Sequence, residues 1–147
     1  MEILVKISER LKDLMDEAEM NISALAERTG LSASVISRIL SCERMPSYKT
    51  LIAITDFFRC PADYIVGKTE SWTETAFHAH PPFHERLGFL LNHFNVSKYK
   101  LEKDTGLKEE TVNRWHKGKC EPTVEHVVTL ANYFHCSVDF IIGRTDY

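Results

Sequence analysis

The sequence predicts an all-α protein built from two tandem five-helix domains. Three observations carry that expectation. The 147-residue chain repeats itself in one register, apolar residues in each half recur on a helical period, and no segment alternates as a strand does. The register is a shift of 76 positions. It takes Glu9-Arg10-Leu11 to Glu85-Arg86-Leu87 and Thr29-Gly30-Leu31 to Thr105-Gly106-Leu107. It also takes Arg38 to Arg114, Pro46 to Pro122, Phe58 to Phe134, Cys60 to Cys136, Asp63 to Asp139 and Gly67 to Gly143, all without a gap. Two copies are too few for a solenoid, so tandem domains follow: residues 1–68, a linker over 69–82, and residues 83–147.

The helices come in the same order twice. In the first, Ile7, Leu11, Leu14, Met15 and Ala18 form one apolar stripe, and Phe83, Leu87, Leu90, Leu91 and Phe94 repeat it. Asn21 reads as an N-cap for a short second helix that ends at Thr29, where Gly30 suits a left-handed C-terminus. Ser32 caps a third helix through Val35, Ile36, Ile39 and Leu40. Pro46 closes a loop, Ser47 caps a fourth helix carrying Leu51, Ile54, Phe57 and Phe58, and Pro61 starts a short fifth ending at Gly67. The second copy reads Ser97 to Thr105, Lys108 to Lys117, Thr123 to Phe134 and Ser137 to Gly143. Between the copies, Trp72 and Phe77 are costly to leave in water, so part of the connecting segment is expected to pack on a domain.

Composition excludes several classes. Hydrophobic residues make up 44% and charged residues 27%, as in ordinary globular proteins. No apolar run approaches the ~18 residues of a membrane span, and the N-terminus lacks the pattern of a secretory signal, which points to a cytoplasmic protein. The cysteines, at 42, 60, 120 and 136, form no C-x-x-C pair; Cys60 and Cys136 match in register and read as small buried thiols. His78, His80 and His84 lie together without a nearby Cys or acidic fourth ligand, so no metal or other cofactor is expected. No nucleophile elbow, phosphate-binding Gly loop or H-E-x-x-H occurs, which argues against an enzyme. The net charge of −3 is not the usual footprint of a nucleic-acid binder, but charge is unevenly placed. Residues 21–50 hold four Lys/Arg against two Asp/Glu, and residues 97–119 hold seven against four. Such local excess can steer a surface towards phosphates.

Two short helices joined by a Gly turn, the second opened by a cap, form the helix-turn-helix pattern. Residues 21–46, NISALAERTGLSASVISRILSCERMP, and 97–122, SKYKLEKDTGLKEETVNRWHKGKCEP, resemble the Cro/lambda-repressor-like family, also called the XRE family. The segments DYIVGKT and DFIIGRTD resemble the ending of its fifth helix, so the likeness spans residues 7–70 and 83–147. The resemblance implies two lambda-repressor-like folds that bind double-stranded DNA and regulate transcription in the manner of a repressor. The third helix of each would enter the major groove, which admits one α-helix.

The same resemblance places base-facing positions at Ala33, Ser34, Ser37 and Arg38, and in the second copy at Glu109, Glu110, Asn113 and Arg114. It offers Asn21, Ser32, Arg44, Ser97, Lys98, Lys108, Lys117 and Lys119 to the DNA backbone. Both copies depart from the family pattern. Ile22 stands where Gln is usual, and Cys42 where Gly commonly follows the third helix. Glu102 replaces the small Ala26 at the crossing of the motif helices, and Glu109 and Glu110 bring carboxylates to where DNA would lie. The first copy therefore ranks as the main base reader. The second is left as an auxiliary reader or a protein-contacting module, antirepressor- or antitoxin-like. With two units in one chain, both a monomer spanning adjacent half-sites and a homodimer remain open.

Overall fold

A computed structural model describes residues 2–146. Those residues form ten helices and no strand. They run α1 (Glu2–Glu17), α2 (Ile22–Thr29), α3 (Ala33–Leu40), α4 (Tyr48–Phe58), α5 (Ala62–Ile65), α6 (Phe83–His93), α7 (Lys98–Thr105), α8 (Glu109–His116), α9 (Val124–Phe134) and α10 (Val138–Ile142). Helices α2, α3 and α4 reappear as α7, α8 and α9 with both ends shifted by 76 residues. The chain divides into two compact units, Met1–Phe77 and His78–Tyr147. None of the helices is long and apolar enough to cross a membrane.

The first helices differ in length for a local reason. Pro81 and Pro82 precede α6, and proline cannot sit in a helix interior, so α6 starts at Phe83 while α1 begins five positions earlier in register. Each unit has its own core. In the first, Ile7, Leu11, Leu14, Leu25, Ile36, Ile39, Leu51 and Ile54 are buried. The equivalent buried positions in the second are Phe83, Leu87, Leu90, Leu101, Val112, Trp115, Val127 and Leu130. The swap of Ile7 and Ile39 for Phe83 and Trp115 is matched in shape: those rings meet edge to face at 5.7 Å. Cys60 is fully buried, as expected, whereas Cys136 is only half-buried, and none of the four cysteines forms a disulfide.

The repeated Glu-Arg-Leu triplet has a structural purpose. Arg10, 7% exposed, lies on the inner side of α1 and donates from Nη1 to Tyr64 O at 2.8 Å and Thr69 O at 2.9 Å. Its guanidinium sits 4.2 Å from the centre of the Tyr64 ring and pairs with Glu70 at 3.3 Å. Arg86 makes the same link in the second unit, donating to Phe140 O and, through Nε, to Ile141 O at 3.3 Å, with its guanidinium against the rings of Phe89 and Phe140. One cation thus ties the first helix to the end of the fifth in both units, where helix carbonyls lack intrahelical partners. In the second unit Asp139 and Arg144 form a buried ion pair, and Arg144 stands at the register position of the exposed Lys68.

The segment expected to link the domains is shared between the units. Trp72 packs on Tyr64 at 5.9 Å, Glu74 pairs with Arg59 at 3.3 Å, and both belong to the first unit. The His78 N–H donates to Arg144 O at 2.8 Å and its ring pairs with Asp146 at 3.1 Å, both within the second. Among the described residues no group of His, Cys, Asp or Glu is arranged to hold a metal ion.

Two substitutions test this account. Arg10→Met removes two charged hydrogen bonds to backbone carbonyls and should lower the stability of the first unit by about 2–3 kcal/mol, read by urea unfolding through Trp72 fluorescence; a change near zero would contradict the staple. Cys42 holds φ at 60°, where the second unit has Gly118 at 72°. A left-handed residue bearing a Cβ costs roughly 1–2 kcal/mol, so Cys42→Gly should raise the unfolding midpoint rather than lower it.

Candidate nucleic-acid interface

The angle between α2 and α3 is set by the Thr-Gly-Leu corner. The Thr29 hydroxyl donates to Leu25 O at 2.6 Å and accepts from the Leu31 N–H at 3.3 Å. Gly30, at φ 78°, turns its N–H onto Ala26 O at 2.9 Å. Thr105, Gly106 and Leu107 repeat every bond at the same lengths: 2.6 Å to Leu101 O, 3.3 Å from Leu107, and 2.9 Å to Glu102 O, with Gly106 at φ 76°. Leu25 and Leu101, which accept the hydroxyl bonds, are fully buried and anchor the corner to each core. Glu102, at the position of Ala26, is half-buried, and the corner beside it keeps the same backbone bond.

Beyond the corner the third helix lies on the core by one side only. Ile36 and Ile39 are fully buried, while Ala33, Ser34, Ser37 and Arg38 are exposed on the opposite side. Ser8 in α1 donates to Leu40 O at 2.7 Å and pins the far end of α3. After that end, the N–H groups of Glu43 and Arg44 fold back onto Arg38 O at 2.8 and 3.3 Å, leaving Arg44 exposed beside the helix. Glu43 is engaged by the Ser41 hydroxyl. In the second unit Val112 and Trp115 are the buried side of α8, and Glu109, Glu110 and Arg114 are exposed. Lys119 N–H repeats the fold-back onto Arg114 O at 2.9 Å.

The cap residues act on their own helices. Asn21, Ser32 and Ser97 accept from the N–H groups of Ala24, Val35 and Lys100 at 2.8, 3.0 and 3.0 Å. Each is exposed, and an accepting hydroxyl or amide still has its own hydrogens to donate outward. Lys108 stands where Ser32 caps α3, but makes no side-chain cap for α8. Glu109 and Glu110 fall in that uncapped first turn, where negative charge suits the helix dipole.

Two features of the second unit were not legible in the residue pattern. The Lys98 ammonium donates to Asn113 Oδ1 at 3.1 Å, so the start of α7 reaches across to α8. Asn113 is accordingly half-buried instead of projecting freely with Glu109 and Glu110. It lines an open depression with those two glutamates, Arg114, Lys117 and Lys119. Beside Lys98, Tyr99 is 72% exposed, an aromatic side chain that no core position claims. Its signal in the sequence was a tyrosine between two lysines just after a cap. The neighbouring Lys100 is held at 3.0 Å by Asp104, which also accepts from the Tyr133 hydroxyl at 2.6 Å. Those hydrogen bonds, Tyr133 foremost, hold the Asp104 carboxyl below its ordinary value, and the same contact pushes the Tyr133 hydroxyl up. The first unit joins the same two helices differently, with Arg28 placed 5.6 Å over the Phe57 ring.

Both units therefore present a short helix, rigidly held by its corner, with a polar face turned away from its core. A family model described as Helix-turn-helix matches residues 11–65, and one described as Cro/C1-type HTH DNA-binding domain matches residues 86–146. No curated protein and no solved structure matches the chain significantly.

Proposed function

We infer, for a chain that belongs to the Cro/C1-type helix-turn-helix family in two tandem copies, that it recognises specific duplex sequences through the major groove, with α3 as its principal base reader. DNA binding and a part in transcription regulation come with the family. The finer reading rests on one observation, the exposed side of α3. Ala33, Ser34 and Ser37 are small and uncharged, so they allow close approach to base edges. Arg38 follows them on the same side, and the Arg38 guanidinium has the fork that matches guanine O6 and N7. The exposed caps Asn21 and Ser32 and the Arg44 side chain supply backbone contacts beside it.

A second reading, in which the protein is an antirepressor- or antitoxin-like module, draws on the exposed carboxylates of Glu109 and Glu110. It applies to the second unit alone, because α3 carries no acidic residue.

Selection from a randomised duplex pool tests the proposal. The chain should enrich one sequence family. Arg38→Ala should cost about 1–3 kcal/mol on the selected duplex and relax preference at one base pair. An identical sequence profile for the variant would remove Arg38 as a reader, and no enrichment at low salt would remove the proposal itself.

A further inference from the structure

The two copies differ where a duplex would lie, and the differences run in opposite directions on two surfaces. On the outward side of the third helix, Ala33 and Ser34 of the first unit are replaced by Glu109 and Glu110 in the second. On the surrounding rim, Ile22 is replaced by Lys98, Ser23 by Tyr99, Ser41 by Lys117 and Glu43 by Lys119. Negative charge has gathered on the reading side of α8 and positive charge around it.

We propose that the units divide the work of DNA binding: the first selects the sequence, and the second grips the phosphate backbone with little regard to sequence. This rests on the reading that the chain binds duplex DNA. Reading by α8 is obstructed in two independent ways. An asparagine recognises adenine with an amide free to turn its accepting and donating edge to the base, and Lys98 engages the Asn113 oxygen at 3.1 Å and holds that side chain half-buried. Glu109 and Glu110 are exposed at the leading end of α8, where carboxylates repel the phosphates that flank the groove. Their presence has a folding reason, since they complement the dipole of a helix that lacks a side-chain cap.

Gripping, by contrast, is well provided. Lys98 bonds Asn113, which lines the same depression as Lys117 and Lys119, so three lysines gather around one surface. Tyr99, beside Lys98 and largely exposed, adds a hydroxyl of the kind that donates to phosphate. None of these four positions holds a cation or an aromatic ring in the first unit. The expected signature is electrostatic: each phosphate neutralised by a lysine steepens the dependence of log K on log salt by about 0.9.

The test uses the full chain, a selected duplex and a scrambled duplex of equal length, with affinities measured across roughly 50–200 mM salt. Combining Lys98→Gln, Lys117→Gln and Lys119→Gln should weaken binding to both duplexes by the same factor. It should also flatten the salt slope by about 2–3 and leave the ratio of the two affinities unchanged. Glu109→Gln with Glu110→Gln should tighten binding to both. Arg38→Ala should instead reduce the ratio. If the triple variant does not fold, Lys117→Gln and Lys119→Gln singly should each flatten the slope by about 1. A wild-type chain that discriminates between the duplexes, but whose slope the lysine variants leave unmoved, overturns the clamp and spares the parent reading. So does a glutamate variant that changes the preferred base pair. A wild-type chain that binds neither duplex overturns both.

Discussion

The Thr-Gly-Leu corner is the constraint from which the interface follows. A helix of eight residues has little stability of its own, and a reader that pivots on a loose turn cannot hold a register against base pairs. The corner removes that freedom with three short-range bonds: a threonine hydroxyl that donates back and accepts forward, and a glycine in the left-handed region that caps the preceding helix. Only glycine adopts that conformation without steric cost, and a side chain must be short to bond both ways. The triplet recurs unchanged at Thr105-Gly106-Leu107, although the helices on either side have diverged widely in charge.

The arginine staple is the second fixed point. Arg10 and Arg86 join the start of each unit to its end, and so close the helical array that holds the corner in place. Around these two devices the units solve local problems by different chemistry. The bond between the second and fourth helices is a cation over a ring in one unit and a phenol on a carboxylate in the other. The third helix starts with a serine cap in one and with two first-turn glutamates in the other. Such exchange is what independent drift of duplicated surfaces over a common frame would leave behind.

Much of the fold could be read from the chain. Apolar stripes, caps and glycine turns are short-range signals, and the duplication doubled each of them. The third-helix faces were also legible, because Ile36 and Ile39 on one side fix Ser34, Ser37 and Arg38 on the other. What escaped depends on contacts between residues far apart in sequence. Arg10 sits in a charged stretch and reads as surface until its carbonyl partners, 54 and 59 residues away, come into view. Asn113 reads as a free base contact until Lys98 is seen beside it. The connecting segment reads as one linker because Arg10, Tyr64 and Arg144, which fasten its two ends, give no local sign of doing so.

The central claim is that the polar sides of α3 and α8, with their rims, meet DNA. Amide chemical-shift mapping during titration with a selected duplex addresses it most directly. The account predicts that the largest changes cluster at residues 21–24, 32–44, 97–100 and 108–119, while the fourth and fifth helices of both units stay nearly still. Perturbations centred on those quiet helices, or none at low salt, would contradict it.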